Sequence, residues 1–227
     1  MNGSSSNPGA SLTWEPDPAA ATARLYLVAP ARLDAAWLHE VVGELADAGV
    51  DLIQLREKDM EAGDVLRVGE PIAAACKEVG IPLLINDRAD LALALDADGV
   101  HLGQDDGPVW LARRVLDGGL VGLSTHAQAE VDAATSAADR SDYIAVGPVH
   151  ATPTKPGRPA VGLELVRYAA RRAELPWFAI GGIDAGNLPA ALEAGARRIV
   201  VVRAITGAAD PPRAAAGLRV LLDAVPL

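Results

Sequence analysis

The residues able to do chemistry fall where short apolar runs end. The run Leu52–Leu55 leads into Arg56-Glu57-Lys58, and a period of two puts Gln54, Arg56 and Lys58 on one face, with Leu55 and Glu57 on the other. That face carries two cations and an amide; the competing reading makes Arg56 and Lys58 solvated charges paired with Glu57 or Asp59. The next two runs end in Asn86-Asp87-Arg88 and in His101 to Asp106, so neighbouring runs each bring a carboxylate. Two carboxylates with few other protein ligands suit Mg²⁺, which keeps waters and borrows substrate phosphate oxygens. Helix N-capping by Asp87 and Asp106 is the alternative. A fifth run ends Ser124-Thr125-His126, where the hydroxyl suits a phosphate. No Asp or Cys stands at triad spacing from His126, which favours a hydrogen-bonding or structural histidine over a general base.

After a sixth run comes a proline-rich loop with Thr152, Thr154, Lys155 and Arg158, by composition an anion clamp or else a rigid connector. The seventh run ends Gly181-Gly182-Ile183-Asp184 and the eighth Val202-Arg203. Paired glycines let a phosphate approach the backbone closely. One phosphate site facing a second, metal-assisted polyanion site implies two phosphorylated small molecules brought together, in a Mg²⁺-dependent transfer or rearrangement.

The elements that must position these residues repeat about every 25 residues. The apolar runs are Leu25–Ala29, Leu52–Leu55, Leu83–Ile85, Gly99–Leu102, Val121–Ser124, Tyr143–Val146, Trp177–Ile180 and Ile199–Val202. Between them lie Ala/Leu-rich stretches of helical period, among them Asp34–Ala48 before Gly49, Glu61–Val79 before Gly80 and Leu188–Ala194 before Gly195. Eight such units predict an α/β fold, a (β/α)8 TIM barrel with its site at the C-terminal strand ends. An open doubly wound sheet is the alternative, but no GxGxxG follows the first run. Residues 1–23, rich in Ser, Pro, Gly and Ala, read as a disordered tail outside a single domain at 24–227.

The 227 residues carry 20 Lys and Arg against 30 Asp and Glu, a net charge of -10 that argues against nucleic acid or a membrane surface as partner. Small phosphorylated molecules remain open, because Arg56, Lys58, Arg88, Lys155 and Arg203 all fall near run ends, on one rim. The lone Cys76 rules out an intramolecular disulfide and fits a reducing compartment. With no apolar span and no signal-like start, a cytoplasmic protein is expected.

At these residues the chain resembles the thiamin phosphate synthase family, over about residues 24 to 207. The likeness rests on Gln54–Lys58, Asn86–Arg88, His101–Asp106, Gly122–His126, Thr152–Lys155 and Ala179–Ile183 in order. The resemblance implies joining 4-amino-5-hydroxymethyl-2-methylpyrimidine diphosphate to 4-methyl-5-(2-phosphoethyl)thiazole, giving thiamin monophosphate and pyrophosphate by a dissociative route. It implies that Gln54, Arg56, Lys58, Asn86, Ser124 and Lys155 hold the pyrimidine diphosphate, with Arg56, Lys58, Ser124 and Lys155 assisting its departure. Asp87 and Asp106, rather than Asp105, would hold Mg²⁺. Thr152, Thr154 and amides at Gly182 and the Val202-Arg203 step would hold the thiazole phosphate. The chain departs from the commonest pattern in having Arg203 where Ser is usual. A homodimer is expected from the family only. The rivals are a thiazole tautomerase of the same barrel family, using a base such as His126 without metal, a phosphosugar epimerase or isomerase barrel, and a non-catalytic thiamin-phosphate-binding barrel.

Overall fold

The eight apolar runs become eight parallel strands that close on themselves. A computed structural model of the chain describes residues 15–30, 35–151 and 159–227. The strands are β1 (Leu25–Pro30), β2 (Leu52–Arg56), β3 (Leu83–Asn86), β4 (Gly99–Leu102), β5 (Leu120–Thr125), β6 (Tyr143–Val146), β7 (Trp177–Ile180) and β8 (Ile199–Val201). Each pairs in parallel with the next, and β8 pairs with β1 through Leu25↔Ile199. The helices are α1 (Pro18–Thr22), α2 (Ala35–Asp47), α3 (Ala62–Val79), α4 (Ala89–Ala94), α5 (Val109–Leu116), α6 (Gln128–Ser136), α7 (Gly162–Arg172), α8 (Leu188–Glu193), α9 (Arg203–Thr206) and α10 (Pro211–Asp223). The expected (β/α)8 barrel is the fold. Among the described residues no helix is long and apolar enough to cross a membrane.

Strand alternation sorts the core into two compartments. Leu25, Leu27, Ala29, Ile53 and Leu55 point outward and pack under the helices. Tyr26, Val28, Leu52, Leu84, Leu120, Tyr143, Phe178 and Val200 fill the barrel axis. The parity that sends Leu52 inward also sends Gln54 and Arg56 inward, one and two layers nearer the mouth.

The expected tail is corrected at its C-terminal end. Residues 18–22 form α1, with Asp17 capping through Ala19 N and Pro18 in the first turn, and Ala20 and Ala23 buried against the axial cluster. Asp17 N donates to Asp142 Oδ1, and Arg198 donates to Ala21 O. The domain therefore begins before residue 24. A five-residue helix is too short for periodicity to announce it, and the axial cluster it covers supplies most of its reason to form. Residues 1–14 lie outside the described residues.

Candidate active site

The C-terminal strand ends enclose a cleft whose floor is aromatic, whose β2–β5 wall is polar and whose β6–β8 wall is apolar. Tyr26 meets Tyr143 and Phe178 edge-on at centroid distances of 5.8 and 5.7 Å, and His101 stacks on Tyr143 at 5.6 Å. The missing side chain at Gly122 makes room for this floor, because a Cβ there would fall 2.1 Å from Tyr143 Cζ.

Gln54, Arg56, Lys58, Asn86, Asp87, Asp106 and Ser124 all reach this cleft. Gln54 is 2% exposed, and its Nε2 donates to the Tyr26 hydroxyl. Among the described residues Arg56 has no ion-pair partner. Lys58 Nζ lies 2.7 Å from Asp87 Oδ2, while Glu57 Oε1 accepts from the backbone amides of Lys58 and Asp59. The Lys58 ammonium thus crosses to the β3 end instead of pairing within its own loop. Asn86 is 6% exposed and its Nδ2 is buried without a partner, an amide left waiting for an acceptor.

Neither Asp87 nor Asp106 caps a helix. The cap residues of α4 and α5 are Arg88 and Pro108. Asp87 instead sits at φ 62°, a left-handed turn that Asp tolerates better than most residues, and its N–H still donates to His101 O. Burial raises its carboxyl above the ordinary range; Lys58 opposes the rise, and Asp106 adds to it through a shared hydrogen bond and like charge. Asp106 Oδ2 is fixed by Gly103 N at 2.6 Å. Arg88, expected at the rim, turns away to Asp90 on α4.

Ser124 is 4% exposed and its Oγ lies 2.9 Å from His101 Nε2. His101 Nδ1 lies 2.8 Å from the Tyr143 hydroxyl, which is 3.0 Å from that of Tyr26. Burial pushes both tyrosines above their ordinary pKa, so both remain neutral phenols. Tyr26 and Tyr143 belong to the site although in sequence they are parts of apolar runs; inward parity within β1 and β6 is the signal that marks them. His126 Nδ1 contacts Gly147 O at 2.5 Å and its N–H donates to Glu130, so it braces β5 against β6.

A second hollow lies between β7 and β8, lined by Gly181, Gly182, Val202 and Arg203. Gly181 (φ 102°) and Gly182 (φ 65°) both need the left-handed region, and a Cβ on Gly182 would meet His150 Cβ at 2.7 Å. Asn187, unnoticed in the sequence, locks this turn by donating to Gly182 O and accepting from Asp184 N. Arg203 is exposed. Ile180, Val200 and Val202 border both hollows, so the two compartments share a wall. Thr152, Thr154 and Lys155 lie outside the described residues.

Fold and site together define a (β/α)8-barrel protein with a charged, partly unsatisfied cleft at its catalytic face beside a glycine-lined hollow. A family described as thiamine monophosphate synthase matches residues 25–205. The chain is 53% identical over 198 residues to the thiamine-phosphate synthase of Acidothermus cellulolyticus, covering 86% of this chain and 93% of that one. It is 52% identical over 201 residues to the thiamine-phosphate synthase of Thermus thermophilus, covering 86% and 95%. The solved thiamine phosphate pyrophosphorylase of Pyrococcus furiosus superposes with a TM-score of 0.78 at 30% identity, covering 88% and 96%. The chain belongs to the thiamine monophosphate synthase family, and is an enzyme of thiamine biosynthesis, a transferase.

Proposed function

We propose that the chain condenses 4-amino-5-hydroxymethyl-2-methylpyrimidine diphosphate with 4-methyl-5-(2-phosphoethyl)thiazole to give thiamin monophosphate and pyrophosphate. The observation that carries this reading is a set of groups in one cleft that the described residues leave unsatisfied: Arg56 without an ion pair, Asn86 Nδ2 without a partner, and Lys58 held by Asp87 alone. These are donors that a diphosphate would saturate. The glycine-lined hollow across the shared wall suits the thiazole phosphate, bound by amides at Gly182 and the Val202-Arg203 step. Arg203 stands where a charge-assisted contact would replace a neutral one. By family resemblance Lys155 joins the diphosphate set, and Thr152 and Thr154 the thiazole phosphate.

Asp87 and Asp106 fit Mg²⁺. Two carboxylates close enough to share a hydrogen bond, one with its proton affinity raised by the other, form a pair that a divalent cation would relieve. When bound, the ion would add positive charge beside the leaving diphosphate. In the step itself the methylene C–O bond breaks and its electron pair leaves with pyrophosphate. Arg56, Lys58 and Lys155 stabilise that charge, and the thiazole nitrogen lone pair then closes the new C–N bond. No proton moves, so the reaction needs no general base. This agrees with His126 being committed to Gly147 O, which weighs against the tautomerase.

Purified protein given both substrates and Mg²⁺ is expected to form thiamin phosphate, to stop in EDTA and to recover when Mg²⁺ is restored. No product with both substrates present would overturn the reading, and activity that survives EDTA would overturn the metal. The expected homodimer is checked by light scattering.

A further inference from the structure

The turn after β7 lines the hollow beside the cleft, and two donors outside it hold its carbonyls. His150 N donates to Gly181 O at 2.9 Å, and Asn187 Nδ2 donates to Gly182 O at 2.8 Å. The partners of the Asn187 amide set its orientation, because its Oδ1 accepts from Asp184 N at 3.0 Å. Exchanging its nitrogen and oxygen would put oxygen against a carbonyl and N–H against N–H. Asn187 stands at the N-cap of α8, yet its side chain does not cap that helix and is spent on the turn instead.

A peptide unit is planar and trans, so its N–H points opposite to its C=O. Tying back Gly181 O and Gly182 O therefore sends the N–H groups of Gly182 and Ile183 the other way. Neither N–H has an acceptor among the described residues, although Ile183 is 4% exposed and buried amides are nearly always paired. Gly181 and Gly182 have φ of 102° and 65°, and turns with such backbone let successive amides converge on an anion.

We propose that the Gly182 and Ile183 N–H groups form a pair of phosphate donors aimed into this hollow, and that Asn187 is the positioning residue for the second. The Ile183 amide thereby joins the donors of the thiazole phosphate. Asn187 touches no substrate; it holds the plane of the Gly182–Ile183 peptide. Without it that plane is free to turn, and Gly182 O, which carries partial negative charge, can swing toward the phosphate. The inference takes its ligand from the proposed reaction and its geometry from the turn alone.

Asn187→Ala and Asn187→Asp both remove the donor to Gly182 O, and the second keeps an acceptor for Asp184 N. Calorimetry on wild type and both variants compares binding of 4-methyl-5-(2-phosphoethyl)thiazole, of the alcohol lacking its phosphate, and of inorganic pyrophosphate with Mg²⁺. Each variant is expected to bind the thiazole phosphate about tenfold more weakly, as loss of a hydrogen bond to a charged group does, and the other two ligands within about twofold of wild type. Equal losses for phosphate and alcohol, or no loss, would overturn the role of Asn187, since a merely structural asparagine does not separate the two. In ¹H–¹⁵N spectra of the wild type, the Gly182 and Ile183 amide protons are expected to move downfield as the thiazole phosphate is added. An Ile183 proton that stays in place would overturn the donor pair, whether or not the variants fold. A protein with these shifts and this selectivity that makes no thiamin phosphate would uphold the donor pair and overturn the proposed reaction.

Discussion

Gly122→Ala adds one methyl group where the Tyr143 ring of β6 lies against β5. The new Cβ would lie 2.1 Å from Tyr143 Cζ and 2.3 Å from its hydroxyl oxygen. Carbon atoms in ordinary contact sit about 3.5 Å apart, so the ring must recede by about 1.4 Å. It cannot recede freely, because Phe178 and Tyr26 stand against it at centroid distances of 5.2 and 5.8 Å. Bonds of 2.8 Å to His101 and 3.0 Å to Tyr26 would stretch beyond hydrogen-bonding range. Overpacking of this kind costs about 1–3 kcal/mol and two lost bonds add about 1 kcal/mol each, so a loss of about 3–5 kcal/mol is expected. In a domain of this size each kcal/mol moves Tm by about 2–4 °C, which places the variant roughly 6–20 °C below wild type. Gly63→Ala in α3 is the control: nothing lies within 4 Å of its Cβ, and it should be neutral or stabilising by up to about 1 kcal/mol. Thermal melts by circular dichroism decide. A Gly122→Ala melt within about 2 °C of wild type, or a Gly63→Ala melt equally depressed, would refute the packing argument.

Lys58→Met should lower kcat at least about 100-fold while changing stability by no more than about 1 kcal/mol, because the Lys58 side chain is 48% exposed and solvent screens its end of the pair with the half-buried Asp87. Steady-state kinetics and a melt on one sample check both halves. Asp142→Ala should cost about 3 kcal/mol or more in urea unfolding, since the 4%-exposed carboxylate holds Arg113 at 2.9 Å and accepts from Val121 N and Asp17 N. Burial, with a smaller contribution from Asp98, pushes the Cys76 thiol from 9.0 up to about 12, so the native protein should resist thiol reagents at pH 8 and react on unfolding. The folded state then binds the thiol proton more tightly than the unfolded chain. That stability is complete below pH 9 and declines as pH rises from about 9 toward 12, which denaturant melts across that range would reveal.

Much of the site was legible because a strand has a period of two. Knowing that β2 faces the axis at Leu52 places Gln54 and Arg56 in the mouth without coordinates, and the same counting places Ser124 on β5. Less was legible where one residue type serves two purposes. Asp87 and Asp106 precede helices, as caps do, and only the left-handed backbone at Asp87 and the bond from Gly103 N to Asp106 show that neither is one. Arg88 has the charge expected of a rim residue, yet Asp90 two positions on holds it outside. The short α1 left no periodic trace, and Asn187 lay in a turn whose hydrogen bonds depend on the fold of Gly181 and Gly182.

The sequence by itself determined the strands, their order, the inward face of each and the set of charged residues at one rim, all of which follow from local alternation and the spacing of apolar runs. Tertiary structure alone decided which of those groups meet. Tyr26 and Tyr143 are 117 residues apart, and nothing in either neighbourhood shows that their hydroxyls touch. Barrel closure brings the inward residues of distant strands to one axis. There a buried donor without an acceptor is costly, and that cost, rather than any motif, draws the polar groups of Gln54, Tyr26, Tyr143, His101 and Ser124 together beneath the cleft.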